Sequence, residues 1–176
     1  NLVTVTGYTS FANNPSLLCA LDVGSQVVIQ TGACQLSAAP TGPTAAPSWS
    51  SPSTAPSSSA PTTRVVASIT LPTTGAIGMM HDYDDVVEVT TNIVIENTDL
   101  TSLAGWFPNL VLVTGNVQIT NNAALTTMNA SFPLLETVSG YLDIFGNGAL
   151  VELGSAFPFP GGGGLVTRYV SIYNNP

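Results

Sequence analysis

Two stretches of this chain, 114–125 and 139–150, repeat one pattern at a constant spacing of about 25 residues, and this limits the fold more than any other feature. The recurring residues include a glycine, an asparagine and a leucine, at Gly115, Asn122 and Leu125 in the first stretch and at Gly140, Asn147 and Leu150 in the second. The pair Phe132-Pro133 recurs at the same spacing. A unit of this length cannot bury its apolar face alone, so consecutive units must stack. The repeat therefore predicts a solenoid.

Each unit contains a short alternating segment, which indicates a half-buried strand. Val117 and Ile119 are expected to point into the core, and Asn116, Gln118 and Thr120 are expected to point outward. Strands from successive coils would then form a parallel sheet.

An asparagine follows each strand, where the chain must turn. Asn97, Asn122 and Asn147 occupy this position in three successive units. Because the side-chain amide both donates and accepts hydrogen bonds, stacked asparagines predict a ladder between coils. The segments 64–71 and 86–95 are predicted as two further strands.

Partial units extend the pattern to both ends of the chain. Residues 1–17 match residues 109–125 at a constant offset of 108, and residues 8–15 match residues 169–176 at an offset of 161. The chain is therefore divided into an N-terminal coil and disulfide-closed segment at 1–36, an insert at 37–63 and the main series of coils at 64–176.

Units of the form L-x-x-V-x-G-x-L-x-I-x-x-N-x-x-L with a trailing F-P-x-L resemble the receptor L domain. This is the leucine-rich β-solenoid of insulin and epidermal-growth-factor receptor ectodomains, and related repeats occur in cell-wall glycoproteins. The resemblance covers residues 88–176 and part of residues 1–18. It implies a mainly β, short right-handed solenoid of leucine-rich-repeat type with parallel strands. The chain departs from the receptors in its low cysteine content and its long insert.

Charge composition excludes several classes of partner. Charged residues make up 7% of the chain, against roughly 25% in ordinary soluble domains. The only cations are Arg64 and Arg168, and the formal net charge is −8. A surface with so few cations is not expected to bind nucleic acid or an anionic membrane. No apolar run is long enough for a membrane span, so membrane insertion is not expected.

The insert is rich in proline, serine, threonine and alanine and has no charged residue, so polyproline II is the expected conformation. It is interpreted as an O-glycosylated or hydroxyproline-rich segment, and the alternative is a bare flexible linker. The candidate O-glycosylation sites are Thr41, Thr44, Ser48, Ser50, Ser51, Ser53, Thr54, Ser57, Ser58, Ser59, Thr62 and Thr63. The candidate hydroxyproline positions are Pro40, Pro43, Pro47, Pro52, Pro56 and Pro61.

Two further features indicate an extracellular protein. Asn129-Ala130-Ser131 is an N-glycosylation acceptor on a predicted turn, so Asn129 is expected to be exposed. Cys19 and Cys34 are expected to form a disulfide in an oxidising compartment, and the alternative is two buried free thiols.

Sequence signals for an enzyme are poor. The single histidine, His81, has no nucleophile turn to support it, so no catalytic residue is assigned. The carboxylates Asp82, Asp84 and Asp85 are a weak calcium candidate, and a solvated acidic loop is the preferred interpretation. No cofactor is expected beyond covalently attached glycans.

The ends of the chain suggest a role. The first and last coils share a pattern and no polar cap is visible at the C-terminus, so either the sequence is part of a longer protein or its last coil stacks on the first coil of a neighbour. The second alternative predicts a self-assembling subunit of an extracellular glycosylated fibril. Its assembly ends would be Leu2, Val3, Tyr8, Phe11, Tyr169, Ile172 and Tyr173.

The rival interpretation is a receptor or adhesin module that binds a glycan or a protein on the solenoid face. An exposed aromatic patch would favour it. The expected members of that patch are Tyr141, Phe145, Tyr169 and Tyr173.

Overall fold

The computed structural model confirms a mainly β solenoid of about four turns, with about 24 residues per coil. It describes residues 4–5, 8–14, 18–19, 28–29, 35–36, 63–157, 165–166 and 168–176. No helix in these ranges is long and apolar enough to cross a membrane.

Short strands alternate with turns along the described chain. In chain order the strands are β1 (Thr4–Val5), β2 (Tyr8–Ala12), β3 (Leu18–Cys19), β4 (Val28–Ile29), β5 (Gln35–Leu36), β6 (Arg64–Val66), β7 (Ile69–Thr70), β8 (Val86–Val89), β9 (Ile93–Glu96), β10 (Leu112–Val113), β11 (Val117–Thr120), β12 (Thr137–Val138), β13 (Leu142–Phe145), β14 (Leu165–Val166) and β15 (Tyr169–Tyr173). One 3₁₀ helix, Ala76–Tyr83, lies between β7 and β8.

The strands form two long parallel sheets and one small pair. The six-stranded sheet has the order β1-β14-β12-β10-β8-β6, and the seven-stranded sheet has the order β4-β2-β15-β13-β11-β9-β7. Strands β3 and β5 pair separately. A third, weaker set of parallel bridges joins Ser102 to Thr127 and Thr127 to Glu152. Each coil from β6 onward therefore contributes one strand to each long sheet, and the N-terminal strands follow the last coil.

The two strands predicted at 64–71 and 86–95 are each divided at a corner. Residues 67–68 separate β6 from β7, and residues 90–92 separate β8 from β9. The chain turns there because the two halves join different sheets. The prediction of β structure for these apolar runs is correct. Each run, however, bends around the coil and forms two short strands instead of one straight strand.

The inward positions of the strands form the core. Val117 and Ile119 are fully buried, as the alternation predicts. Thr120 was expected to point into solvent, yet it is only 4% exposed. Its Cα is in register with Glu96 and Phe145 on the adjacent strands, and these longer neighbours flank it on both sides.

A column of aromatic rings runs through the core parallel to the stacking direction. Phe132 stacks on Phe107 with ring centroids 4.8 Å apart and on Phe157 at 5.0 Å. Tyr83, from the first coil of the main series, extends the column with a tilted ring whose centroid lies 5.7 Å from that of Phe107. The repeated Phe-Pro pair therefore places one phenyl ring per coil in the same column.

Replacing Gly115 by Ala is expected to lower the free energy of unfolding by about 1–3 kcal/mol, because overpacking forces the backbone to shift. A Cβ at Gly115 would overlap the carbonyl oxygen of Thr91 on the preceding coil. Gly148→Ala is the matched control, since a Cβ there meets nothing within 4 Å. Urea denaturation of both variants checks the prediction, and equal midpoints would contradict it.

Candidate assembly junction and outward face

The first described coil of the chain stacks on its last. Strand β2 pairs in parallel with β15, and all five residues are in register, from Tyr8 with Tyr169 to Ala12 with Tyr173. This pairing follows the offset of 161 seen in the sequence. The chain therefore adds its N-terminal coil to its C-terminal edge as if it were one more repeat.

The predicted asparagine ladder is present and buried. Asn147 donates from Nδ2 to the carbonyl oxygen of Ile119 at 2.9 Å and to Oδ1 of Asn175 at 3.0 Å. Its own Oδ1 accepts from the backbone N–H and from Nδ2 of Asn122, both at 3.0 Å. Each side chain thus satisfies buried backbone groups of adjacent coils.

The earliest level of the ladder differs from the prediction. Asn97 was expected there, but it is exposed and has a φ of 53°. The next residue, Thr98, is buried instead, and its hydroxyl donates to Oδ1 of Asn122 at 2.7 Å. Strand β9, which precedes Thr98, is displaced by one residue relative to the strands of the later repeats. The ladder residue of this coil is therefore also displaced by one residue, from Asn97 to Thr98.

The ladder continues across the junction into the N-terminal coil. The backbone N–H of Asn175 donates to Oδ1 of Asn14 at 3.0 Å, and Nδ2 of Asn14 donates to the carbonyl oxygen of Ile172 at 2.8 Å. At the surface, Nδ2 of Asn13 donates to Oδ1 of Asn174 at 3.1 Å. Asn14 and Asn175 were not predicted as junction residues, although the offset of 161 already aligned them.

The residues predicted as assembly ends lie side by side within one chain. Tyr8 and Phe11 were expected at one end of the molecule, and Tyr169, Ile172 and Tyr173 at the other. They lie on adjacent strands of one chain, so the edge of β15 is occupied by the same chain's β2. The physical reason is that the insert separates the N-terminal coil from the main series, which allows it to pair at the far edge. Leu2 and Val3 lie outside the described residues.

The outward face of β13 and β15 carries two stacked aromatic pairs. The ring centroids of Tyr141 and Tyr169 are 5.0 Å apart, and those of Phe145 and Tyr173 are 4.9 Å apart, with the two ring planes of each pair nearly parallel. All four side chains are half-buried. The predicted aromatic patch is therefore assembled, although each ring uses one face to stack on its partner.

A carboxylate lies between the two aromatic rows. Asp143 is in register with Ser171, and its Oδ1 is buried without a hydrogen-bond partner among the described residues. Burial raises the pKa of Asp143, and a hydrogen bond from Ser171 partly opposes this rise. Burial also raises the pKa of Tyr173, with a smaller contribution from the charge of Asp143.

Replacing Asp143 by Asn is expected to raise the free energy of unfolding at neutral pH by less than about 1 kcal/mol, because a half-buried charge is removed. The pKa of Asp143 is higher in the folded state than in the unfolded state. At a pH just above the ordinary pKa of 3.8, the folded state therefore binds more protons than the unfolded state. The stability of the unsubstituted protein therefore falls as pH rises through the window above 3.8 and then levels off.

Urea titrations of both proteins below pH 3.8 and at neutral pH check this prediction. The two proteins should converge at low pH, where Asp143 is protonated. A stability difference that does not change with pH would contradict it.

The N-glycosylation acceptor Asn129 is exposed, as expected for a turn. Its Oδ1 accepts from the backbone N–H of Ser155 at 3.0 Å and from the Ser155 hydroxyl at 2.8 Å. N-glycans attach to the amide nitrogen, so these contacts leave the attachment atom outside the hydrogen bonds that hold the turn. The acceptor serine, Ser131, is buried and donates to the carbonyl oxygen of Met128.

Several predicted sites lie outside the described residues. All O-glycosylation and hydroxyproline candidates from Pro40 to Thr62 belong to this group, whereas Thr63 is described and exposed. Cys34 also lies outside, so the predicted disulfide with Cys19 stays a prediction.

The acidic loop makes one exposed ion pair, with Arg64, and one exposed hydrogen-bond contact, with the His81 ring. Nε of Arg64 lies 2.9 Å from Oδ1 of Asp85, and Nδ1 of His81 lies 3.0 Å from Oδ2 of Asp84. Within the described ranges, no group of three or more His, Cys, Asp or Glu side chains is placed to hold a metal ion. The weak calcium candidate at Asp82, Asp84 and Asp85 therefore has no converging ligand set.

No protein-family model, curated protein or solved structure matches the chain.

Proposed function

We propose that this chain is a structural subunit of an extracellular glycosylated fibril, built from coils of leucine-rich-repeat type and assembled end to end. One observation carries the proposal. The first coil fits the last with a continuous parallel register and with Asn14 in the asparagine ladder. Surfaces that are complementary at the two ends of a chain can join copies head to tail, and such contacts form open filaments unless rotation closes them.

The chemistry of the chain supports this role. With 7% charged residues and a net charge of −8, its polar side chains are mainly hydroxyls and amides. Contacts of this kind are little affected by salt, which suits a filament outside the cell. Asn129 and the hydroxyl-rich insert would carry the glycan coat, and no enzyme activity or cofactor is part of the proposal.

Electron microscopy of the native purified material tests the proposal. We expect regular filaments with extra density beyond the protein and an axial repeat of about 34 Å, since seven stacked strands at about 4.8 Å give this length. Enzymatic removal of glycans should thin the filaments without changing the axial repeat. Monodisperse monomers at all concentrations would contradict the proposal.

A glycan-binding or protein-binding module is the second candidate function. The aromatic pairs on β13 and β15, with Asp143 between them, favour it, because sugar-binding faces combine aromatic rings with hydrogen-bonding groups. A glycan array with the intact protein and with Tyr141→Ser tests it. Binding that is lost in the variant supports this function, and an array without signal excludes glycans as its ligand.

A further inference from the structure

The N-terminal segment meets the main series of coils far from its covalent attachment. Strands β6 and β7 lie at one edge of the two long sheets, and β1, β2 and β4 lie at the opposite edge. Residues 37–63 connect β5 to β6 along the chain. The sheet order therefore separates where the segment is attached from where it pairs.

The length of this connection permits pairing within a chain or between chains. Six steps between the outer strands of the seven-stranded sheet span about 29 Å, at about 4.8 Å per step. The segment from 37 to 63 can span up to roughly 90 Å when fully extended. A segment on this connection can thus reach the β15 edge of its own chain or that of an adjacent copy.

The contacts at the junction do not depend on chain identity. They include the β1–β14 and β2–β15 pairings, the bonds of Asn14 to Ile172 and Asn175, and the surface bond from Asn13 to Asn174. All of them are non-covalent, and a second copy would offer the same groups in the same register. An exchange therefore loses none of the contacts that stabilise the single chain.

We propose that residues 1–36 are exchanged between copies, so that the N-terminal segment of one chain completes the sheets of the next. This inference rests on the proposed function and specifies the contact that connects adjacent copies in the fibril. Each copy then donates one segment and accepts another, which produces an open series unless two copies exchange reciprocally. A free filament end would expose the uncovered edge of β15, and this edge is the acceptor for the next segment.

The exchange should depend on protein concentration. The tether gives the chain's own segment an effective concentration on the order of millimolar, so exchange is favoured where copies are crowded or already aligned in a filament. Dilute refolded protein should therefore be rich in closed monomers, and concentrated protein should be rich in exchanged copies.

A disulfide between Ser10→Cys and Ser171→Cys tests the proposal, because these residues are register partners on β2 and β15. Neighbouring strands place their Cα atoms within the range that a disulfide requires. Chains labelled with ¹⁵N and unlabelled chains are denatured, mixed equally, refolded at high concentration and oxidised. Mass spectrometry then identifies the peptide that links positions 10 and 171.

Complete exchange predicts that about half of these linked peptides contain one labelled and one unlabelled part, and that non-reducing gels show a ladder of oligomers. Ser10→Cys with Gln118→Cys is the control pair, because position 118 lies three strands away and should not form the link. Asn13→Cys with Asn174→Cys is a second pair at a direct side-chain contact, in case the first pair does not fold.

The outcomes separate the exchange from the fibril. Mixed-label links in filaments support both proposals, and mixed-label links in closed dimers support the exchange alone. Links of a single label within filaments overturn the exchange and leave the fibril assembled by another contact. Links of a single label in monomers overturn both, and folded protein without either link overturns the exchange because the β2–β15 contact is then absent.

Discussion

Replacing Asn147 by Ala is expected to lower the free energy of unfolding by about 3–5 kcal/mol, because each buried polar group left without a partner costs about 1–3 kcal/mol. The side chain of Asn147 bonds the carbonyl oxygen of Ile119 and the amides of Asn122 and Asn175. Alanine cannot replace any of these bonds, and the residues around the site are fully buried. Chemical denaturation measures the loss.

Asn121→Gly is the matched control for the ladder. Asn121 precedes Asn122, is exposed and has a φ of 56°, a conformation that glycine adopts without strain. This variant should change the free energy of unfolding by less than about 0.5 kcal/mol. If the two variants lose similar stability, the buried ladder is not what holds adjacent coils in register.

Replacing Phe132 by Ala is expected to lower the free energy of unfolding by about 3–5 kcal/mol, because it removes a large buried side chain and leaves a cavity. Phe132 is fully buried and stacks on rings from the coils before and after it. The loss therefore affects two coil-to-coil contacts at once. Thermal and urea denaturation, read by circular dichroism, check the prediction.

Leu134→Ala is the control for the aromatic column. Leu134 lies slightly further along the same turn but is 41% exposed, so its removal should cost less than about 1 kcal/mol. Equal losses in Phe132→Ala and Leu134→Ala would show that the stacked phenyl rings contribute no more than a partly exposed side chain. A second, separate unfolding transition in Phe132→Ala would instead show that the coils on either side unfold independently.

The repeat predicted the main series of coils because the information for one coil is local. Alternation between Val117 and Ile119 fixes which side chains enter the core, and a shared spacing places Asn122 and Asn147 at one level of the stack. The same pattern within a single coil did not predict the corners inside residues 64–71 and 86–95. An apolar run does not reveal where a chain bends from one sheet to another, because both halves are equally apolar.

The burial of Thr120 and the raised pKa of Asp143 could not be predicted from the residue pattern within one coil. Both occupy outward positions in their strands, and alternation assigns such positions to solvent. Their surroundings are set by register partners on adjacent strands, Phe145 beside Thr120 and Ser171 beside Asp143. These partners lie a full coil further along the chain, so only the stacked structure brings them together.

The β-solenoid, the inward residues Val117 and Ile119 and the asparagine ladder, apart from its level at Thr98, could be predicted from the residue pattern, since each follows from a period that the residues repeat. The coil that covers the edge of β15 could not be predicted in this way. Similar coils present similar surfaces, so the pattern allows the N-terminal coil to precede the main series, to follow it or to join another copy. The pairing of Tyr8 with Tyr169 places the N-terminal coil beside the last coil of the main series and not before the first, because contacts between distant segments, and not the period of either segment, fix the order of the stack.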